Sequence, residues 1–257
     1  MHSHATCSRG PRRRRVIGVL AAGLGWPWAA ADVSPATAAA PARRALPPPS
    51  ATLDYALRRG MLSGSGEMRW QRRDDRYELS LEGSVAGFPV LRQVSRGGLD
   101  AGGLAPDTFV DKRLRRPARI ATFERDQGRV VFSAAPDTYP IVPGMQDRLS
   151  WMIQLAALAE AEPLGLRAAG VRVPMFVVGA RGDGELWEFE YERMEAVRGQ
   201  DAPAQAARFT RRPRKPDDSE VDVWLDPARH WLPVFARIGD GDADPPLELR
   251  LRELRLP

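Results

Sequence analysis

Residues 219–238 read SEVDVWLDPARHWLPVFARI, two alternating apolar runs on either side of a proline-containing break. Alternation with period two is the pattern of a strand with one buried face, so the pair reads as a β-hairpin. Asp226-Pro227 suits the opening of a type I turn. A bare two-residue turn of that type splays its strands, which favours a four-residue loop over 227–230. That spacing sets Asp226 opposite Trp231, Leu225 opposite Leu232 and Val223 opposite Val234, with Trp224 and Pro233 sharing the other face. His230 then ends the loop. Two roles are open to Asp226: holding the turn through its side chain, or forming an acid–base pair with His230. With no serine or metal partner nearby in sequence, the turn is the stronger reading.

The same period recurs along the chain. Leu53, Tyr55 and Leu57 share a face, as do Tyr77, Leu79, Leu81 and Val85. The segments 108–114, 119–125 and 129–134 are short β-rich runs bounded by Gly, Pro and Asp. Residues 171–179 and 185–195 flank Ala180-Arg181-Gly182-Asp183-Gly184 as a second hairpin, with Trp187, Phe189 and Tyr191 on one face and Glu188, Glu190 and Glu192 on the other. Leu247, Leu249 and Leu251 close the chain facing inward. The expected fold is mainly β: a curved antiparallel sheet, half-open barrel or sandwich, with one packed α-helix. That helix is the run 146–162, whose Leu149, Met152, Ile153, Ala156 and Ala159 form a stripe with Trp151, Leu155 and Leu158 beside it. Pro143-Gly144 introduces it and Pro163 stops it. Its broad apolar surface either plugs the concave face of the sheet or walls a cavity. In the second case Trp151, Leu155, Trp187, Phe189 and Tyr191 are the ligand-binding residues.

Residues 1–31 read as a signal peptide: a run of arginines, an apolar stretch broken by Pro27, and an Ala-rich end before Asp32. The apolar stretch is short for a membrane span. Cleavage after Ala31 or Ala38 fits, and the expected location is the periplasm, with no integral membrane span once the leader is gone. Residues 32–50 are rich in Pro and Ala and read as a flexible linker. Residues 51–257 then form a single β-rich domain.

The leader holds five of the 38 basic residues and none of the 33 acidic ones, so the remainder is neutral overall. Nucleic-acid binding, which wants a basic excess, is not expected. Cys7, His2 and His4 also lie in the leader, leaving His230 as the one later histidine. No disulfide, Cys nucleophile, metal site or cofactor is expected from what remains. No G-x-S-x-G elbow occurs, and Ser63-Gly64-Ser65-Gly66-Glu67 lacks the lysine and helix of a phosphate loop. Arg181-Gly182-Asp183 is turn chemistry before it is an adhesion motif.

PGMQDRLSWMIQLAAL (143–158), with its Asp-x-Leu-Ser start, and the later Trp-Leu-x-Pro…Leu-Pro-Val hairpin together resemble the exported bacterial family known as domain of unknown function 3108. The resemblance implies a periplasmic β-rich domain and brings no catalytic residues. More distantly the layout is similar to envelope lipoprotein carriers, whose curved sheet is closed by helices over an apolar cavity. Three function classes follow. One is a binding protein for an acyl chain, lipid or apolar partner segment in the concave face. Another is a structural or assembly factor for other envelope proteins, for instance by sheet-edge pairing. The third is a hydrolase using carboxylates such as Asp226.

Overall fold

A meander begins with β1 (Ala51–Arg59), β2 (Leu62–Arg73), β3 (Arg76–Val85), β4 (Phe88–Asp100) and β5 (Gly103–Arg113). It continues through β6 (Arg119–Glu124), β7 (Arg129–Phe132) and the short β8 (Thr138–Pro140). The two-residue β9 (Gln146–Asp147) leads into helix α1 (Trp151–Ala161). A second meander follows: β10 (Arg172–Val178), β11 (Gly184–Val197), β12 (Ala204–Arg211), β13 (Ser219–Asp226), β14 (Leu232–Asp240) and β15 (Leu247–Arg255). This computed structural model describes residues 43–198, 204–213, 218–240 and 245–257. Residues 1–31, expected to be a signal peptide, and residues 32–42 of the expected linker lie outside the described residues.

Among the described residues, fifteen strands form one sheet in the order β8 to β1, then β15 down to β9. Pairing of β1 with β15, Leu57 opposite Leu249, joins the two meanders. The sheet is curved and unclosed, and its two edges, β8 and β9, are neighbours in sequence. At this seam the Tyr139 ring meets Phe132 at 5.9 Å and Phe176 at 5.6 Å. Its hydroxyl donates to the Gly182 carbonyl at 3.2 Å. Side chains therefore close the seam where no backbone ladder does. β9 pairs only with Val177 and Val178 of β10, and Pro174 occupies the stretch of β10 beyond it. On the opposite edge Pro136 precedes β8 and Pro140 ends it. Proline cannot donate to a ladder, so both edges offer little to an incoming strand.

Residues 43–50, expected to be part of a flexible linker, lie against the domain instead. Leu46 N–H donates to the Ala157 carbonyl at 2.8 Å and Ala45 N–H to Ala101 at 3.1 Å. The carbonyls of Pro47 and Pro48 accept from Arg72 and the buried Trp70 indole at 2.7 and 3.0 Å. Composition did not expose this, because the anchors are backbone groups.

The helix is buried on every side, as suits one that is apolar nearly all round. It touches β5 on one flank and β14 on the other, so it fills the concave face between them. It starts later than the apolar stripe predicts, at Trp151, because Gln146 and Asp147 pair as a strand. Its polar residue Gln154 substitutes for a missing strand neighbour. The amide accepts from Leu104 N–H and donates to the Gly102 carbonyl, both at 2.7 Å. Gly103 between them has φ +107°, and a Cβ there would stand 2.2 Å from Gln154 Oε1.

The hairpin register differs by one residue from the expected one. Trp231 N–H donates to the Asp226 carbonyl at 2.9 Å, and His230 and Trp231 both take left-handed conformations. The loop therefore covers 227–231. Asp226 faces Leu232, Leu225 faces Pro233, and a bulge brings Val223 opposite Ala236 and not Val234.

Candidate functional site

Three polar or aromatic groupings surround the start of α1. The first centres on Asp147. Its Oδ1 accepts the N–H groups of Leu149 and Ser150, each at 2.8 Å. Its Oδ2 accepts from the Ser95 hydroxyl at 2.5 Å, and Ser95 meets Tyr77 Oη at 2.8 Å. Ser150 Oγ returns the favour by accepting Asp147 N–H at 2.9 Å. This is the reciprocal bonding of a helix start, extended by two hydroxyls onto the inner face of β3 and β4. Burial pushes the Asp147 carboxyl above its ordinary range, against the hydrogen bonds from Ser95, Ser150 and Leu149. Burial also raises Tyr77, and the neighbouring Asp147 charge adds to it. Ser95 and Asp147 are wholly buried, so no substrate reaches this serine. The arrangement ties the helix to the sheet.

The second grouping is an ion cluster around Trp187. Arg148 Nη2 meets Asp183 at 2.8 Å and Glu185 at 3.2 Å, while its Nη1 donates to Ser219 Oγ at 2.8 Å. Arg211, on β12, pairs with Glu185 at 2.9 Å and Asp218 at 3.5 Å. Both guanidinium groups stand over the Trp187 ring, 5.0 and 5.2 Å from its centre. Asp183 of the Arg-Gly-Asp turn is thus paired with Arg148, although its side chain is still 40% exposed.

The third grouping is the aromatic stack. Trp151 lies nearly parallel to Phe189 at 5.1 Å, and Trp187 meets them edge-on at 5.6 and 5.9 Å. None of Trp151, Leu155, Trp187 and Phe189, expected from the sequence to line a ligand space, is more than 1% exposed, so none borders a water-sized space. Tyr191 stands further along β11, half-buried against Phe209 at 5.8 Å.

The hairpin residues have structural partners. Asp226 Oδ1 accepts from Ala228 N–H at 2.9 Å and Oδ2 from Arg229 at 2.6 Å, which accounts for the carboxylate. His230 is exposed in the left-handed region and makes no pair with it. An open cleft of about 490 Å³ lies beside this turn, lined by Met194, Ala204, Gln205 and residues 226–229. Asp226 is the sole carboxylate among those lining residues, and Arg229 neutralises it. Glu188 and Glu190 approach Arg172 at 4.0 and 3.9 Å, and Glu192 meets Arg212 at 3.0 Å, as on an ordinary solvated face.

Sequence reasoning missed Glu185, Arg148 and Arg211. Parity held a signal for two of them: Glu185 precedes Trp187 and Phe189 by two and four positions, and Arg211 follows Phe209 by two. Residues two apart on a strand share a face, so both charges belong inside.

A family model described as "Protein of unknown function (DUF3108)" matches residues 51–244. The chain belongs to the DUF3108 family. The Asp147-x-Leu149-Ser150 segment that carried the resemblance forms the turn leading into the plugging helix. No curated protein matches the chain. Among solved structures, a β-barrel-like protein of domain of unknown function DUF1849 from Brucella abortus is similar. The TM-score is 0.53 at 15% identity, covering 83% of this chain and 100% of that one. That likeness speaks to fold alone. Among the described residues, no helix is long and apolar enough to cross a membrane.

Proposed function

We propose that this DUF3108 protein is an exported, non-enzymatic binding module of the cell envelope. It acts through its outer surface, as a structural or assembly factor, and does not carry an apolar ligand inside. The supporting observation is the filled concave face: α1 and the stack of Trp151, Trp187 and Phe189 occupy the space that a carrier leaves for its cargo. An acyl chain would enter only if the helix withdrew from its bonds to Leu104 and Gly102 and from the Asp147 network. The hydrolase reading has less support, since the Asp226 carboxylate is held by Ala228 N–H and Arg229, and His230 is exposed. Export rests on the pattern of residues 1–31.

Cell fractionation followed by mass spectrometry of an organic extract tests both halves. The expected result is recovery outside the cytoplasm with no stoichiometric lipid. One lipid per chain restores the carrier reading, with Trp151, Leu155, Trp187, Phe189 and Tyr191 as its wall. Retention of the full chain in the cytoplasm removes the envelope assignment.

A further inference from the structure

Three hairpin tips project from the same end of the sheet: those joining β1 to β2, β3 to β4 and β5 to β6. Adjacent registers make them level. Ser65 faces Ser84, so Leu62 continues to a position beside Gly87; Leu114 N–H donates to the Val90 carbonyl at 2.9 Å, which sets the third tip beside the second. Each tip carries apolar side chains into solvent. Met61 is 100% exposed, Leu62 63%, Phe88 72% and Leu114 54%. These are not core residues left uncovered by chance of size, since the inward neighbours Leu57 and Leu91 of the same strands are buried. Gly60, Ala86 and Gly87 have positive φ in two-residue turns, and Arg115 has positive φ in the longer loop 114–118.

Charge gathers at the same place. Residues 58–63, 84–90 and 112–120 contain Arg58, Arg59, Lys112, Arg113, Arg115, Arg116 and Arg119, and no Asp or Glu. The chain after the leader is neutral overall, so this is a local excess. The sequence from the end of β14 to β15 differs in charge, with Asp240, Asp242 and Asp244 and no Lys or Arg.

A level row of exposed apolar tips backed by arginines matches one kind of partner: a surface that is apolar a few ångströms down and anionic at the top. Apolar side chains enter the acyl boundary while cations stay with the headgroups. We propose that this end of the sheet docks peripherally on an anionic phospholipid bilayer, with Met61, Leu62, Phe88 and Leu114 inserting and Arg115, Arg116 and Arg119 contacting phosphates. This goes beyond the surface-acting role proposed above and stands on different residues.

The test is co-sedimentation with vesicles. All fifteen strands, the helix and both apolar clusters lie after residue 43, so a chain starting at Ala40 keeps every element while omitting the apolar leader. It is expected to sediment with phosphatidylglycerol–phosphatidylcholine vesicles, weakly with phosphatidylcholine alone, and less as salt rises. Leu62→Ser with Phe88→Ser is expected to weaken binding about tenfold or more, from the lost apolar insertion. Arg115→Glu with Arg116→Glu is expected to weaken it by a similar factor on anionic vesicles and to leave the phosphatidylcholine background unchanged. Both pairs are exposed, so thermal midpoints should stay within a degree or two, about the scatter of surface changes. Failure of the unaltered chain to sediment with anionic vesicles overturns the proposal. So does binding that survives both double substitutions, which would place the lipid contact elsewhere.

Discussion

Replacing Trp151 by glutamine is expected to destabilise the domain by about 3–5 kcal/mol, the range for large core truncations. The ring stacks on Phe189, meets Trp187 edge-on and is sealed from solvent. Glutamine leaves part of that volume empty and adds an amide without an evident partner, which costs about 1–3 kcal/mol by itself. Equilibrium denaturation in urea measures the effect as a shift in midpoint, and the slope should be unchanged because the same surface is exposed on unfolding. A residue standing at the mouth of a cavity would behave differently. Trp151→Gln would then shift stability by less than about 1 kcal/mol, as ordinary surface changes do.

The second large effect belongs to Asp147. Asp147→Ala removes the acceptor for the N–H groups of Leu149 and Ser150 and for the Ser95 hydroxyl. Three buried donors lose their partner, and the expected cost is about 3 kcal/mol or more. Asp147→Asn is expected to be milder, since its oxygen still accepts from the backbone and its NH₂ can donate to Ser95 Oγ. The pair also carries a pH signature. Burial raises the folded carboxyl of Asp147 above its unfolded value. Its favourable contribution is therefore fully present below the unfolded value and is lost as pH rises through the folded one. The stability of the unaltered protein relative to Asp147→Asn should accordingly be greatest near about pH 4, the unfolded carboxylate range, and decline towards neutrality. Denaturation curves for both proteins across that range give the difference. A difference that grows with rising pH would show that Asp147 is stabilised as the anion.

How much of this was legible in the sequence depends on what kind of contact decides each feature. Strand positions that answer to one buried face were readable, as with Leu53, Tyr55 and Leu57 or Trp187 and Phe189, because alternation records the boundary between core and solvent. The place of α1 was readable from its long apolar run at helical spacing, bounded by Pro143-Gly144 and Pro163. Its starting residue was not: Gln146 and Asp147 look like helix in the pattern but pair with β10, a long-range contact that periodicity does not encode. The hairpin register failed by one residue because His230 and Trp231 both enter the left-handed region, an uncommon choice for residues of that bulk. Residues 43–50 looked flexible by composition, yet they are held by carbonyl and amide groups that every residue carries. Of the five residues proposed as a ligand wall, Trp151, Trp187 and Phe189 pack on one another, while Tyr191 packs on Phe209. Filling of the space between them depends on the close approach of Trp151 to Phe189, and no spacing rule expresses that distance. The ion cluster was half legible: parity puts Glu185 and Arg211 inside, whereas Arg148 reaches it from the turn before α1.

Whether α1 is a plug or a lid is measured most directly by amide hydrogen exchange over residues 151–161. A plug opens only when the sheet around it comes apart. The slowest helix amides should then exchange with the free energy of global unfolding, alongside those of β1 and β13. Exchange of the helix through a separate local opening, well below the global free energy while the strands stay protected, would contradict the filled-core account and point to a movable cover over a ligand space.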